Sequence, residues 1–149
     1  MATTQTVTVL FTDLVGSTEL SSRLGTEATD ALRQTHFGLL RGAIQSAGGT
    51  EVKNLGDGLM VAFTSLSRAL ACDVAMQQAV ERHNHRDEGA PLSVRIGISA
   101  GEATEEDGDY FGDPVIEAAR LCAQAEGGQI PAVPKPPAFG PAVSSNVTG

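Results

Sequence analysis

Residues 6–12, Thr-Val-Thr-Val-Leu-Phe-Thr, mix β-branched and apolar side chains with no charge among them. That is the pattern of a buried strand. The strand runs into Asp13, and Gly16-Ser17-Thr18-Glu19 reads as a turn followed by a helix start. From 27 to 47 the apolar positions fall at helical spacing, with Leu32, Phe37, Leu39, Leu40 and Ile44 as core candidates. Gly48-Gly49 stops that helix. Residues 50–55 and 59–63 are two short strands around Gly56-Asp57-Gly58, a hairpin. A second helix is predicted over 65–85, carrying Leu66, Ala69, Leu70, Met76 and Val80. Residues 92–99 alternate as a strand. A loop or short strand leads to Tyr110-Phe111-Gly112. Residues 114–125 form a helix with Pro114 in its first turn, and 127–130 open another strand.

The order β-α-β-β-α-β, with further α and β elements, predicts an α/β sandwich with a ferredoxin-like core: a mostly antiparallel sheet with helices on one face. From residue 131 the pattern stops. Five of the seven prolines fall at 131, 134, 136, 137 and 141. The division expected is a domain over 1–130 and a proline-rich, disordered tail over 131–149. At 149 residues there is room for one core.

Charge narrows the function classes. A formal net charge of -8 argues against a surface that tracks nucleic-acid phosphates, which needs a basic stripe. The N-terminus lacks a basic segment followed by a long apolar core, and no apolar run approaches the roughly 20 residues of a spanning helix. A soluble, cytoplasmic chain without membrane contact is expected. Cys72 and Cys122 lie in apolar helical stretches and read as buried reduced thiols.

The chemistry-bearing positions are Asp13, at the end of a strand, and Asp57, in the hairpin turn. An Asp between two glycines in a turn is ordinarily explained by turn preference alone. In a βαββ layout, however, the first strand and the hairpin can be neighbours, which sets two carboxylates at one sheet edge. Such carboxylates repel unless a cation joins them, and Mg²⁺ or Mn²⁺ prefers those ligands together with substrate phosphates. The helix start at Gly16, Ser17 and Thr18 offers backbone N–H groups as a phosphate cradle. A two-metal phosphoryl-transfer site follows as the expectation.

Four segments then resemble, in order, the signatures of the class III nucleotidyl cyclases. They are Phe11-Thr12-Asp13-Leu14-Val15-Gly16-Ser17-Thr18, Lys53-Asn54-Leu55-Gly56-Asp57-Gly58-Leu59-Met60, Val94-Arg95-Ile96-Gly97-Ile98-Ser99-Ala100-Gly101-Glu102, and Asp109-Tyr110-Phe111-Gly112 continuing to Ala118-Ala119-Arg120-Leu121. The compact loop between Gly101 and Asp109 is similar to the bacterial branch. The resemblance implies that Asp13, Asp57 and the Leu14 carbonyl hold two divalent cations, and that Arg95 reaches the triphosphate. It implies that Lys53 and Asp109 read the base, and that Arg120 stabilises charge on the α-phosphate. Lys donates to adenine N1 and a carboxylate accepts from N6, so the pair favours ATP over GTP. It also implies a homodimer or pseudo-dimer, with the metal aspartates from one chain and Lys53, Asp109 and Arg120 from the other.

Two departures stand out. The family's Val-Asn before its Ala-Ala-Arg stretch is Val115-Ile116 here, and Glu117, about 100° round the helix, does not replace the amide. After Ile130 the family continues to a helix and a final hairpin with a triphosphate-binding lysine. Here Lys135 lies among prolines, so an unpaired sheet edge is expected. These departures support a second reading, a non-catalytic nucleotide-binding or dimerising module of a signalling or transcriptional regulator.

Overall fold

The computed structural model describes residues 2–86, 91–125 and 142–148. The elements are β1 (Thr3–Leu14), α1 (Ser17–Leu24), α2 (Thr26–Ala47), β2 (Thr50–Asn54), β3 (Leu59–Phe63), α3 (Leu66–Arg86), β4 (Ser93–Glu106), β5 (Asp109–Phe111), α4 (Asp113–Gln124) and β6 (Ala142–Thr148). The strands join in the order β2-β3-β1-β4-β5, with β6 also on β4, and every pairing is antiparallel. The first four strands give the ferredoxin-like arrangement expected from the pattern.

β1 lies in the middle of the sheet, so both of its faces are covered. Leu10 and Leu14 face a core shared with Phe37, Leu40 and Ile44 of α2 and with Cys72, Met76 and Val80 of α3. Val7, Val9 and Phe11 face a second, smaller core with Ala118 and Cys122 of α4. The expectation of helices on one face therefore holds for α2 and α3, while α4 covers the other. Gly97 allows this: a Cβ there would lie 2.3 Å from both the Ala118 carbonyl oxygen and the Cys122 nitrogen. The helix backbone rests directly on β4, which any larger residue would prevent.

β4 is longer than its alternating segment suggested, because Asp107 and Gly108, at φ 52° and 79°, turn it back into β5. Asp-Gly with both residues left-handed is the preferred two-residue hairpin turn. β5 pairs with β4 at Thr104, Glu105 and Glu106. β6 pairs with β4 from Ser93 to Ser99.

β6 corrects two expectations. Residues 142–148 are not a disordered tail, and this stretch of β4 is not an unpaired edge. Ala-Val-Ser-Ser-Asn-Val-Thr has β-branched residues and no proline, and the open edge of β4 offers it a full ladder of partners. Ser145 is fully buried, where it bonds the Asp73 carboxylate and accepts from Gln77 Nε2 at 2.9 Å. The strand predicted at 127–130, the proline-rich stretch through 141, and Lys135 fall outside the described residues.

Candidate active site

The site begins with two backbone contacts between β1 and the β2–β3 turn. The Leu14 N–H donates to the Asp57 carbonyl at 2.8 Å, and the Leu59 N–H donates to Thr12 Oγ1 at 2.9 Å. Between them Gly58 lies so close to β1 that a Cβ would stand 1.8 Å from the Thr12 carbonyl oxygen. The two glycines of the turn thus serve different ends. Gly56 supplies a positive φ of 96° with open space around it. Gly58 supplies room for one backbone to press on another. The contact pins Asp57 beside Asp13, as the topology suggested.

Asp13, Asp57, Gly58 and Arg95 line one open cavity of about 350 Å³, together with Ala119 and Ala123 of α4. Each carboxylate has a guanidinium on it. Arg95 stands directly across from Asp13 in the β1–β4 register, and its Nη2 pairs with Asp13 Oδ2. Its Nη1 donates to the Ala123 carbonyl at 3.2 Å, near the C-terminal end of α4. Arg33 of α2 donates from Nε to Asp57 Oδ1 at 3.0 Å, and its Nη1 is braced by Asp30 Oδ1 at 2.9 Å. Arg33 carries no motif of its own, and nothing in its immediate sequence singles it out. Its position on α2 relative to the turn is set by tertiary packing, and no local pattern exposes that.

One turn along α2, His36 is fully buried beneath this pair. Burial pushes its pKa down to about 4, with Asp57 opposing the shift and Arg33 adding to it, so the ring is neutral near pH 7. Cys122 also lines the cavity, but burial pushes its thiol up to about 12, which leaves no nucleophilic thiolate.

The remaining predicted residues lie elsewhere. Lys53 of β2 and Asp109 of β5 come from opposite ends of the sheet order, yet Lys53 Nζ reaches Asp109 Oδ2 at 2.9 Å. The hydrogen bond from Lys53 holds the Asp109 carboxyl below the usual carboxylate range. Arg120, half-exposed on α4, pairs with Glu117 at 2.9 Å and is not part of the lining of the aspartate cavity. Ile116, one turn before it, is 67% exposed. Gly16, at φ 71°, caps α1, whose first residue is Ser17, followed by Thr18. One chain therefore carries two separate groups: a carboxylate pair with arginines, and a Lys53–Asp109 pair, with Arg120 exposed on α4.

A sequence model of the adenylate and guanylate cyclase catalytic domain matches residues 1–136. The chain belongs to that family. It is 36% identical over 124 residues to the serine/threonine-protein kinase pkn2 of Myxococcus xanthus, covering 81% of this chain and 15% of that protein. It is 34% identical over 124 residues to the putative adenylate cyclase 3 of Rhizobium meliloti, covering 82% of this chain and 21% of that protein. The matched region is thus a small part of both relatives. Among solved structures, an adenylate/guanylate cyclase/hydrolase from Silicibacter pomeroyi superposes with a TM-score of 0.79 at 27% identity, over 100% of this chain and 99% of that one. The cyclase fold and the antiparallel core are shared along the full described length. The family generally uses divalent metals, binds nucleotide substrates and works as dimers. Among the described residues no helix is long and apolar enough to cross a membrane.

Proposed function

We propose that the chain is an adenylyl cyclase domain that converts ATP to 3′,5′-cyclic AMP and pyrophosphate, in the cytoplasm, at sites shared between two copies. The observation that carries this reading is the pinning of the Asp57 turn onto the end of β1, which brings a second carboxylate beside Asp13 in a cavity with Arg95. Two carboxylates and the Leu14 carbonyl are ligands suited to Mg²⁺ or Mn²⁺. Among the described residues no three His, Cys, Asp or Glu side chains cluster as a closed metal cage. An open carboxylate pair fits cations that also hold substrate phosphates. When bound, two such cations supply a more acidic 3′-hydroxyl and neutralise charge on the departing pyrophosphate.

The chain's own groups then divide the work. Arg95 turns to the triphosphate, and the start of α1 at Gly16, Ser17 and Thr18 cradles phosphate with backbone N–H groups. Lys53 donates to adenine N1 and Asp109 accepts from N6; their contact in the free chain pre-assembles the pair. The 3′-oxygen attacks the α-phosphorus in line, the bond to the bridging oxygen breaks, and pyrophosphate leaves. Arg120 stabilises the charge that gathers on the α-phosphate. Its exposure, outside the aspartate cavity, is what a site completed by a second chain requires.

One observation favours a second reading, a dimerising or nucleotide-binding module of a larger signalling protein. Ile116 is 67% exposed at the place where the family carries its ribose-orienting asparagine. The decisive assay follows cyclic product from ATP and from GTP with Mn²⁺ over a range of protein concentration. Specific activity should rise with concentration. A mixture of Asp57→Ala and Lys53→Ala chains, each inactive alone, should recover activity through one intact site per heterodimer. Concentration-independent turnover with no recovery on mixing excludes the shared site, and nucleotide binding without product under every condition leaves the regulatory module.

A further inference from the structure

Arg33 stands to Asp57 as Arg95 stands to Asp13: each carboxylate of the pair is met by one guanidinium reaching in from a different element. Arg33 is not locked in place by burial. Its side chain is 28% exposed, that of Asp57 is 41% exposed, and its second anchor, Asp30, is 56% exposed. The pair is therefore one that water and solute cations can reach.

Resting on the metal assignment above, we propose that Arg33 is a counterion that exchanges. It neutralises Asp57 when no divalent cation is bound, and swings to the triphosphate when Asp57 takes one. The physical reason is charge balance. Two neighbouring carboxylates repel, and the free chain relieves this with two guanidinium groups. A cation on Asp57 makes Arg33 surplus beside it. A phosphate oxygen held by a cation on Asp57 would neighbour the carboxylate oxygen that Arg33 now meets. A guanidinium already 3.0 Å from Asp57 Oδ1 needs only a small side-chain rotation to reach that phosphate. Its planar fork suits phosphate oxygens as well as carboxylate. Arg33 thereby supplies a second triphosphate cation, from α2, to a chain whose Lys135 lies among prolines.

The two halves of the exchange move in opposite directions, and neither needs turnover to be measured. Mn²⁺ alone is titrated by electron paramagnetic resonance. Binding of 3′-deoxy-ATP and 3′-deoxy-AMP with Mn²⁺, neither of which can cyclise, is measured by calorimetry. Arg33→Gln removes a competitor for Asp57, so Mn²⁺ alone should bind more tightly, by up to about fivefold, the scale of one exposed ion pair. The same variant should bind 3′-deoxy-ATP at least about tenfold more weakly, while 3′-deoxy-AMP changes little. Arg33→Lys, which keeps the charge, should restore part of the triphosphate binding. Weaker binding of Mn²⁺ alone in Arg33→Gln would mean that Arg33 merely orients Asp57, and overturns the exchange. Equal losses for the triphosphate and the monophosphate overturn it too. Asp57→Asn separates this failure from that of the underlying reading: if it leaves Mn²⁺ binding unchanged, the metal assignment falls and the exchange falls with it.

Discussion

Replacing Gly58 by alanine tests whether one backbone contact assembles the site. The added Cβ would meet the Thr12 carbonyl oxygen at 1.8 Å, roughly 1.5 Å short of an ordinary contact. Neither atom is the free end of a side chain, so the hairpin must move off β1 as a unit. Moving it breaks the Leu59 N–H bond to Thr12 Oγ1 and the Leu14 N–H bond to the Asp57 carbonyl. Buried groups left unpaired cost about 1–3 kcal/mol each, so a loss of about 2–6 kcal/mol follows, or roughly 10 °C in Tm for a domain of this size.

The functional consequence is larger than the thermal one. Metal ligands tolerate displacements of about 0.2 Å, so carrying Asp57 away by several times that should weaken Mn²⁺ binding at least about tenfold. Gly56→Ala is the control. It forces alanine to a φ of 96° but meets nothing within 4 Å, so it should cost about 1–2 kcal/mol in strain and leave Asp57 in place. Thermal melts and paramagnetic titration of Mn²⁺ on the two variants suffice. If Gly58→Ala melts within about 2 °C of the parent and binds Mn²⁺ as well as Gly56→Ala does, the contact does not position Asp57.

Two further outcomes are expected. Ile116→Asn, at a position 67% exposed and so free of packing cost, should raise turnover of Mn²⁺-ATP by about 10²–10³ with little change in nucleotide affinity; a fast parent left unchanged by the substitution would move that role to another group, with Glu117 the first to test. Asp73, whose pKa burial pushes up to about 6 from 3.8 against hydrogen bonds from Ser145 and Gln77, holds its proton more tightly folded than unfolded, so its contribution is full only below the unfolded pKa of 3.8 and is lost as pH rises through about 6; Asp73→Asn should therefore gain stability relative to the parent, by about 2 kcal/mol between pH 4 and pH 7 in denaturant titrations, and a pH-independent difference would refute the assignment.

The parts of the fold that were legible are those whose periodicity is enforced by one neighbour at a time. α2, α3 and β1 bury continuous apolar faces, and glycine marks where α2 ends: Gly48 turns left-handed at φ 73° and its N–H returns to the Ile44 and Gln45 carbonyls. What failed to show was set by partners distant in sequence. α4 buries Pro114, Ala118 and Cys122, a stripe too small to announce which face of the sheet it covers. That choice is made by Gly97, whose missing side chain admits the helix backbone. β6 was hidden for a related reason. Its serines and asparagine carry no apolar signal, and its place is fixed by ladder bonds to β4 and by Ser145 meeting a buried carboxylate on α3.

The candidate site divides along the same line, and the division bears on its chemistry. Asp13, Asp57, Lys53, Asp109 and Arg95 were all visible because each sits in a short local motif. The structure pairs Lys53 with Asp109 and Asp13 with Arg95, across strands far apart in sequence. Arg33 was invisible because the groups it serves lie across a tertiary contact, 24 residues from Asp57. The distinction is a physical one. Residues proposed to hold a cation or to read the base sit at fixed backbone points, strand ends and tight turns, where their geometry is set by a few neighbours and leaves a sequence signature. Residues that balance the charge of those groups need only reach them, and a long flexible side chain can do so from many positions on a nearby helix. The electrostatic state of the carboxylate pair in the free chain is therefore set by two arginines of different legibility, one from a signature strand and one from an unmarked helix face. Any account of how readily a divalent cation enters must weigh the displacement of both.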